Sequence, residues 1–162
     1  MPTKASKPVP DGMNTVTTQL MFNGDCKQAI DFYKKAFNAS LVGDVAYGPD
    51  GKSIMHALVK IGDTNLMMAD SWPGTFTTGP NGQVTAYLFM YVEDCDALYN
   101  QALSAGCTVL NEMMDAFWGD RLGNVKDPFG HCWGIASAKW ILTKEEVARG
   151  QEEWMRSMPS HS

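Results

Sequence analysis

Apolar residues return along this chain in two rhythms, one of period two and one of period 3.6. The order of those rhythms is used twice. Residues 15–22 are β-prone and read as a first strand. Asn23-Gly24-Asp25 ends it, with Asp25 placed as a helix N-cap. Ala29, Ile30, Tyr33, Ala36 and Phe37 then recur at helical spacing and predict an amphipathic helix over Cys26–Phe37. Residues 41–47, 53–61 and 65–69 read as three more strands, punctuated by Gly48-Pro49-Asp50-Gly51 and Gly62-Asp63. Residues 71–82 hold two prolines and three glycines and read as a linker.

The second half follows the same plan. Residues 84–92 predict a strand and Asp94 an N-cap. Ala97, Leu98, Gln101, Ala102 and Ala105 form a helical face that Gly106 stops. Val109 opens a further strand. Residues 121–126 and 131–136 flank Asp127-Pro128-Phe129-Gly130, a tight turn in which Pro128 fixes φ and Gly130 accepts a positive one. The resulting hairpin carries Phe117, Trp118 and Trp133, more apolar surface than a two-stranded ribbon can bury, so it belongs to a larger sheet. A shift of 69 positions lays Asp25-Cys26 on Asp94-Cys95, and a shift of 67 lays Gly62-Asp63 on Phe129-Gly130. A period that long predicts a duplicated half-domain in an α+β fold of two βαβββ modules.

The modules cover about residues 14–70 and 83–138 of a domain spanning 14–138. Ahead of it, residues 1–13 form a Pro/Lys/Ser tail expected to be mobile. Behind it, 139–162 is a helical extension. Thr143 with Glu146 makes a capping box there, and Val147, Trp154, Met155 and Met158 share one face. That face packs either on its own domain or on a second subunit.

Composition narrows the function more than it defines it. A chain of 162 residues with 44% apolar and 19% charged residues suits one soluble globular domain. A net charge of −5 without a basic stripe argues against a nucleic-acid partner. No apolar run reaches the ~18 residues of a membrane span, and residues 1–14 lack the apolar core of a secretory signal. Cys26, Cys95, Cys107 and Cys132 are scattered, without CxxC or zinc spacing. Reduced thiols and a cytoplasmic location are expected. GxSxG, GxxxxGK and HExxH motifs are absent.

Asn23-Gly24-Asp25 leading into Ala29-Ile30-Asp31-Phe32-Tyr33, together with Asp127-Pro128-Phe129-Gly130-His131 and Trp133, resembles the vicinal oxygen chelate superfamily. That superfamily holds glyoxalase I, bleomycin-resistance proteins, fosfomycin-resistance enzymes and extradiol dioxygenases. Trp118-Gly119-Asp120-Arg121 is similar to its PhnB-like branch. The resemblance implies a curled mixed sheet around a cavity, followed here by the C-terminal helix, and a homodimer. It also implies four inward side chains holding a divalent metal that chelates neighbouring substrate oxygens. Those positions fall on Thr18, Met67, Tyr87 and Gly134. The family's metal-binding members have His or Glu there; a thioether and a bare hydrogen do not replace them. A one-residue slip offers Thr17 or Gln19, Leu66 or Met68, Ala86 or Leu88, Trp133 or Ile135, so no metal and no other cofactor is expected.

The expected ligand pocket is therefore Thr18, Leu20, Met67, Tyr87, Phe89, Trp118, Arg121, Cys132 and Gly134. Strand alternation puts Leu20 and Phe22 with Thr18, and Tyr91 with Tyr87 and Phe89. Leu88, Met90, Trp133 and Ile135 then face the helices. Such a lining suits a flat aromatic or amphipathic molecule, unless these side chains fill the space themselves. Arg121 beside Asp120 either grips a substrate carboxylate or phosphonate or makes an exposed ion pair. Trp72 and Trp118 are candidate rim aromatics, Asp70 a cap, and His131 a fastener of its turn. The alternative function is a lyase, isomerase or dioxygenase-type enzyme using non-standard positions. His56 is its candidate general base, although a satisfied structural histidine is the stronger reading.

Overall fold

The computed structural model describes residues 1–159, so the last three residues of the 139–162 extension lie outside the described part. The chain divides into two compact units, 1–83 and 84–162. In the first, β1 (Gln19–Phe22) and α1 (Cys26–Phe37) precede β2 (Ser40–Tyr47), β3 (Ile54–Ile61) and β4 (Thr64–Asp70). Its sheet has the order β1-β4-β3-β2, with β1 parallel to β4 and the other pairs antiparallel. The second unit repeats this with β5 (Leu88–Tyr91), α2 (Cys95–Ala105), β6 (Thr108–Asp115), β7 (Asp120–Lys126) and β8 (Cys132–Ala138), in the order β5-β8-β7-β6. A further helix, α3 (Lys144–Ser157), follows. Neither sheet closes on itself.

Each helix covers one sheet face. α1 buries Ala29, Ile30, Tyr33, Ala36 and Phe37, the face its periodicity predicts. Opposite lie Leu20, Phe22, Ala57, Val59, Leu66 and Met68, all buried. Burying Phe22, Tyr33 and Phe37 contributes about 2–3 kcal/mol each. This corrects the expected orientation of β1. Leu20 and Phe22 point at the helix, not away from it, because Leu20 stands opposite Met68 and Phe22 opposite Asp70. In the second unit α2 buries Leu98, Tyr99 and Ala102 over Val125, Trp133 and Ile135. Its approach needs Gly123, where a Cβ would lie 2.6 Å from the Tyr99 ring.

The helix starts differ in a way spacing does not show. Asp94 caps α2 as expected, accepting from the Ala97 amide at 3.0 Å. Asp25 does not cap α1; its carboxylate takes the Asn23 amide instead. The buried Asp70 does the work, accepting from Gly24 N (2.9 Å), Cys26 N (3.0 Å) and Ile54 N (2.8 Å). Its counterpart in the second unit is Ser137, whose Oγ accepts from Cys95 N at 3.1 Å and donates to Val92 O at 2.6 Å. Asp127 holds the 127–130 turn by accepting from the amides of Phe129 and His131 and from Trp133 Nε1.

The capping box at Thr143 and Glu146 is formed. α3 buries none of its residues, but Trp154 lies against Phe117 with ring centroids 5.8 Å apart. The extension is fastened at Gly119, whose carbonyl accepts from both Lys139 N (2.9 Å) and Trp140 N (3.0 Å). Gly119 has φ +103°, and a Cβ there would sit 2.4 Å from the Trp140 carbonyl oxygen. Gly119→Ala is expected to cost about 3 kcal/mol, combining backbone strain with that collision. A lowered urea midpoint would show it. Among the described residues, no helix is long and apolar enough to cross a membrane.

Candidate functional site

Each sheet turns its second face away from its helix. In the first unit that face carries Gln19, Met21, Leu58, His56 and Met67, set by the pairs Gln19–Met67 and Leu58–Met67. The residue opposite Met67 is thus Gln19; Thr18 lies exposed just ahead of β1. A slip of one residue exchanges the two faces of a strand, which is why Thr18 and Leu20 leave this face together. His56 is exposed opposite Ala46, two residues from Leu58, and its side chain makes no hydrogen bond to any described residue. Trp72 packs over the 48–51 turn, where a Cβ on Gly48 would lie 2.3 Å from its ring.

The N-terminal segment lies across this first face. Asn65 Nδ2 donates to Gly12 O at 2.7 Å, and Val9, Pro10, Met13, Thr15 and Thr17 line one cleft with Met67. Asn65 is buried, and its Oδ1 has no partner among the described residues.

The open face of the second unit is built around aromatics. Phe89 stands opposite Gly134 and Tyr91 opposite Ala136, while Leu88, Met90, Trp133 and Ile135 occupy the other face, as alternation predicts. Tyr87, Phe89 and Tyr91 form a row with centroid separations of 6.0 and 5.2 Å. They are 56%, 37% and 64% exposed, so their rings do not fill a core. Gly134 makes room for the row. A Cβ there would lie 2.6 Å from the Phe89 ring and 3.1 Å from Asn124 Oδ1, an enclosed oxygen that itself lacks a donor. Asn124 Nδ2 donates to Asn111 Oδ1 at 3.0 Å. Cys132 shares the face, half-buried opposite Lys126. Burial raises its thiol pKa, so it is no ready nucleophile.

Asp120 and Arg121 go to opposite faces. Arg121 pairs with Asp96 of α2, Nε to Oδ2 and Nη2 to Oδ1 both at 2.7 Å, and reaches Asp115 at 3.2 Å. These bonds raise the Arg121 pKa and lower that of Asp96. The expected grip of Arg121 on a ligand carboxylate therefore gives way to internal ion pairing. Asp120 lies on the aromatic face, where its Oδ2 accepts from Tyr91 Oη and Trp118 Nε1, each at 2.8 Å. The expectation of one Asp120–Arg121 pair missed this tie, which joins the aromatic row to Trp118.

The bond to Asp120 raises the Tyr91 phenol above its ordinary value, because a phenolate would face a carboxylate. A proton bound more tightly in the fold stabilises it at neutral pH, and that contribution disappears as alkali removes the proton. Burial raises the Tyr99 phenol as well, so ultraviolet titration should show Tyr99 and Tyr91 both ionising late, and Asp120→Asn should bring Tyr91 alone back towards the ordinary range.

The strand pairs also decide whether these faces suit a divalent metal. The facing pairs are Gln19 with Met67 and Phe89 with Gly134. Neither an amide with a thioether in the first unit nor a phenyl ring with a hydrogen in the second supplies the donors a divalent ion requires. Asp120 and Cys132 lie at opposite ends of the β7–β8 pairing, about 20 Å apart at six residues' separation, too far to share an ion. Among the described residues, no three His, Cys, Asp or Glu side chains gather to hold one.

Paired βαβββ units with the parallel outer strand beside the last strand of each unit define a known class of fold. The model of the glyoxalase/bleomycin resistance protein/dioxygenase superfamily matches residues 13–135, and the chain belongs to that superfamily. It is 38% identical over 128 residues to the uncharacterized protein Mb0911c of Mycobacterium bovis, covering 76% of this chain and 83% of that protein. Similar solved structures include PA1353 of Pseudomonas aeruginosa, with a TM-score of 0.62 at 22% identity, covering 79% of this chain and all of that one. A PhnB protein from Bacillus cereus has a TM-score of 0.61 at 20% identity, covering 77% of this chain and all of the other.

Proposed function

We propose that the protein binds a small, flat aromatic or amphipathic molecule on the open face of its second unit, without a metal, and works as a homodimer. The observation that carries this is the exposed row of Tyr87, Phe89 and Tyr91 over a glycine that leaves it room. Rings in such a row offer stacking and edge contacts to a planar ligand. The facing pairs supply no donor set for an ion, which supports recognition by stacking and hydrogen bonding. Apolar side chains exposed on the edge strands, Leu41, Val42 and Tyr47 on β2 and Val109, Leu110 and Met114 on β6, support the dimer. Light scattering should report about twice the 17.8 kDa chain mass.

The test is a titration with 2-naphthylmethanol in EDTA, followed by tryptophan fluorescence, since Trp118 is tied to the face through Asp120. Saturable quenching that Trp118→Phe abolishes is the expected result. Binding that appears only after zinc, nickel, manganese or iron is added would overturn the metal-free reading.

A further inference from the structure

We infer that the ligand of the aromatic face carries a cationic amine; this rests on the reading above and names the chemical class within it. Asp120 is only 7% exposed, yet among the described residues no basic side chain forms an ion pair with it. Its Oδ2 accepts two neutral donors, Tyr91 Oη and Trp118 Nε1. Its Oδ1 accepts nothing from any described residue and is not enclosed, so it remains open as an acceptor. Of the neighbouring cations, Arg121 lies on the opposite face and is committed to Asp96 and Asp115, and Lys139, next to Ala138 opposite Asp120, has its charge felt at Asp96. Lys126 shares the face but stands six residues along β7, about 20 Å away and beyond the ~8 Å screening length of physiological salt.

A carboxylate largely withdrawn from water and lacking a counter-charge gains from a cationic partner. The groups around it favour the same charge. Tyr91 and Phe89 present exposed rings, and their negative faces attract an ammonium within about 6 Å. An anionic ligand would meet the Asp120 carboxylate, while the charges of Arg121 and Lys139 act on Asp96. The chemistry recognised is thus an aromatic or apolar body with a protonated amine placed at the Asp120 end of the row.

Three naphthalene probes separate the possibilities: 2-naphthylmethylamine, 2-naphthylmethanol and 2-naphthoate, each titrated calorimetrically at pH 7 in EDTA. The amine should bind about tenfold tighter than the alcohol, the gain of one charge-assisted contact with cation–π support, and the carboxylate more weakly than the alcohol. Asp120→Asn, which keeps an oxygen for Tyr91 and Trp118, should bring the amine-to-alcohol ratio down to about one. Raising salt on the unmodified protein should shrink the same ratio, a check independent of how the variant folds. An amine no tighter than the alcohol overturns the inference while leaving the aromatic site standing. An advantage that Asp120→Asn and salt leave untouched overturns it too. Failure of all three probes to bind overturns the site itself.

Discussion

Asp70→Ala is expected to cost about 4 kcal/mol, a large fraction of the 5–15 kcal/mol typical of a domain. The carboxylate accepts three backbone amides, two of them in buried bonds, at the start of α1 and at the start of β3. Alanine leaves the Cys26 and Ile54 amides without an acceptor, and each orphaned buried donor costs about 1–3 kcal/mol. Water can replace the bond to Gly24, which lies in an exposed turn. With a urea dependence of about 2 kcal/mol per molar, the unfolding midpoint should fall by about 2 M. Asp70→Asn, keeping one acceptor oxygen, should lose about half as much. Ser137→Ala removes the counterpart contact in the second unit, one accepted amide in place of three, and should cost about 1–2 kcal/mol. Equal losses from the Asp70 and Ser137 variants would contradict this ordering.

Gly134→Ala should weaken recognition and stability together. The new methyl collides with the Phe89 ring at 2.6 Å, so the ring must leave the row. Overpacking of this kind costs about 1–3 kcal/mol. Affinity for 2-naphthylmethanol should drop about tenfold, the value of one lost aromatic contact. Combining it with Phe89→Ala gives a sharper result. The double variant should regain the stability lost through the collision but not the affinity, a coupling that a double-mutant cycle measures directly. Normal binding by Gly134→Ala would remove Phe89 from the site.

The sequence carried most of the fold because its signals were local. The face of α1, the Thr143 capping box, the 127–130 turn and the alternation along β5 and β8 each depend on neighbours a few residues apart. What it hid depends on partners brought together by folding. Arg121 finds Asp96 on α2, 25 residues away, so the charge beside Asp120 in sequence is absent beside it in space. Asp25 was the natural cap by position, but Asp70, 44 residues from Cys26, is the group the helix start uses. Thr18 and Leu20 were assigned by counting from a motif, and a count wrong by one reverses a strand. In β5 no such slip occurs, so Phe89 and Tyr91 lie on the face opposite Leu88 and Met90, as assigned.

The segment lying over Met67 makes the open faces of the two copies of the repeat unequal. One copy has its sheet occupied by the beginning of its own chain, through Gly12 and the residues beside it, while the other keeps its rings bare. A duplicated architecture would allow two seats per polypeptide. On the function proposed above only the second copy keeps an open seat, so a saturated chain should hold one guest molecule, not two.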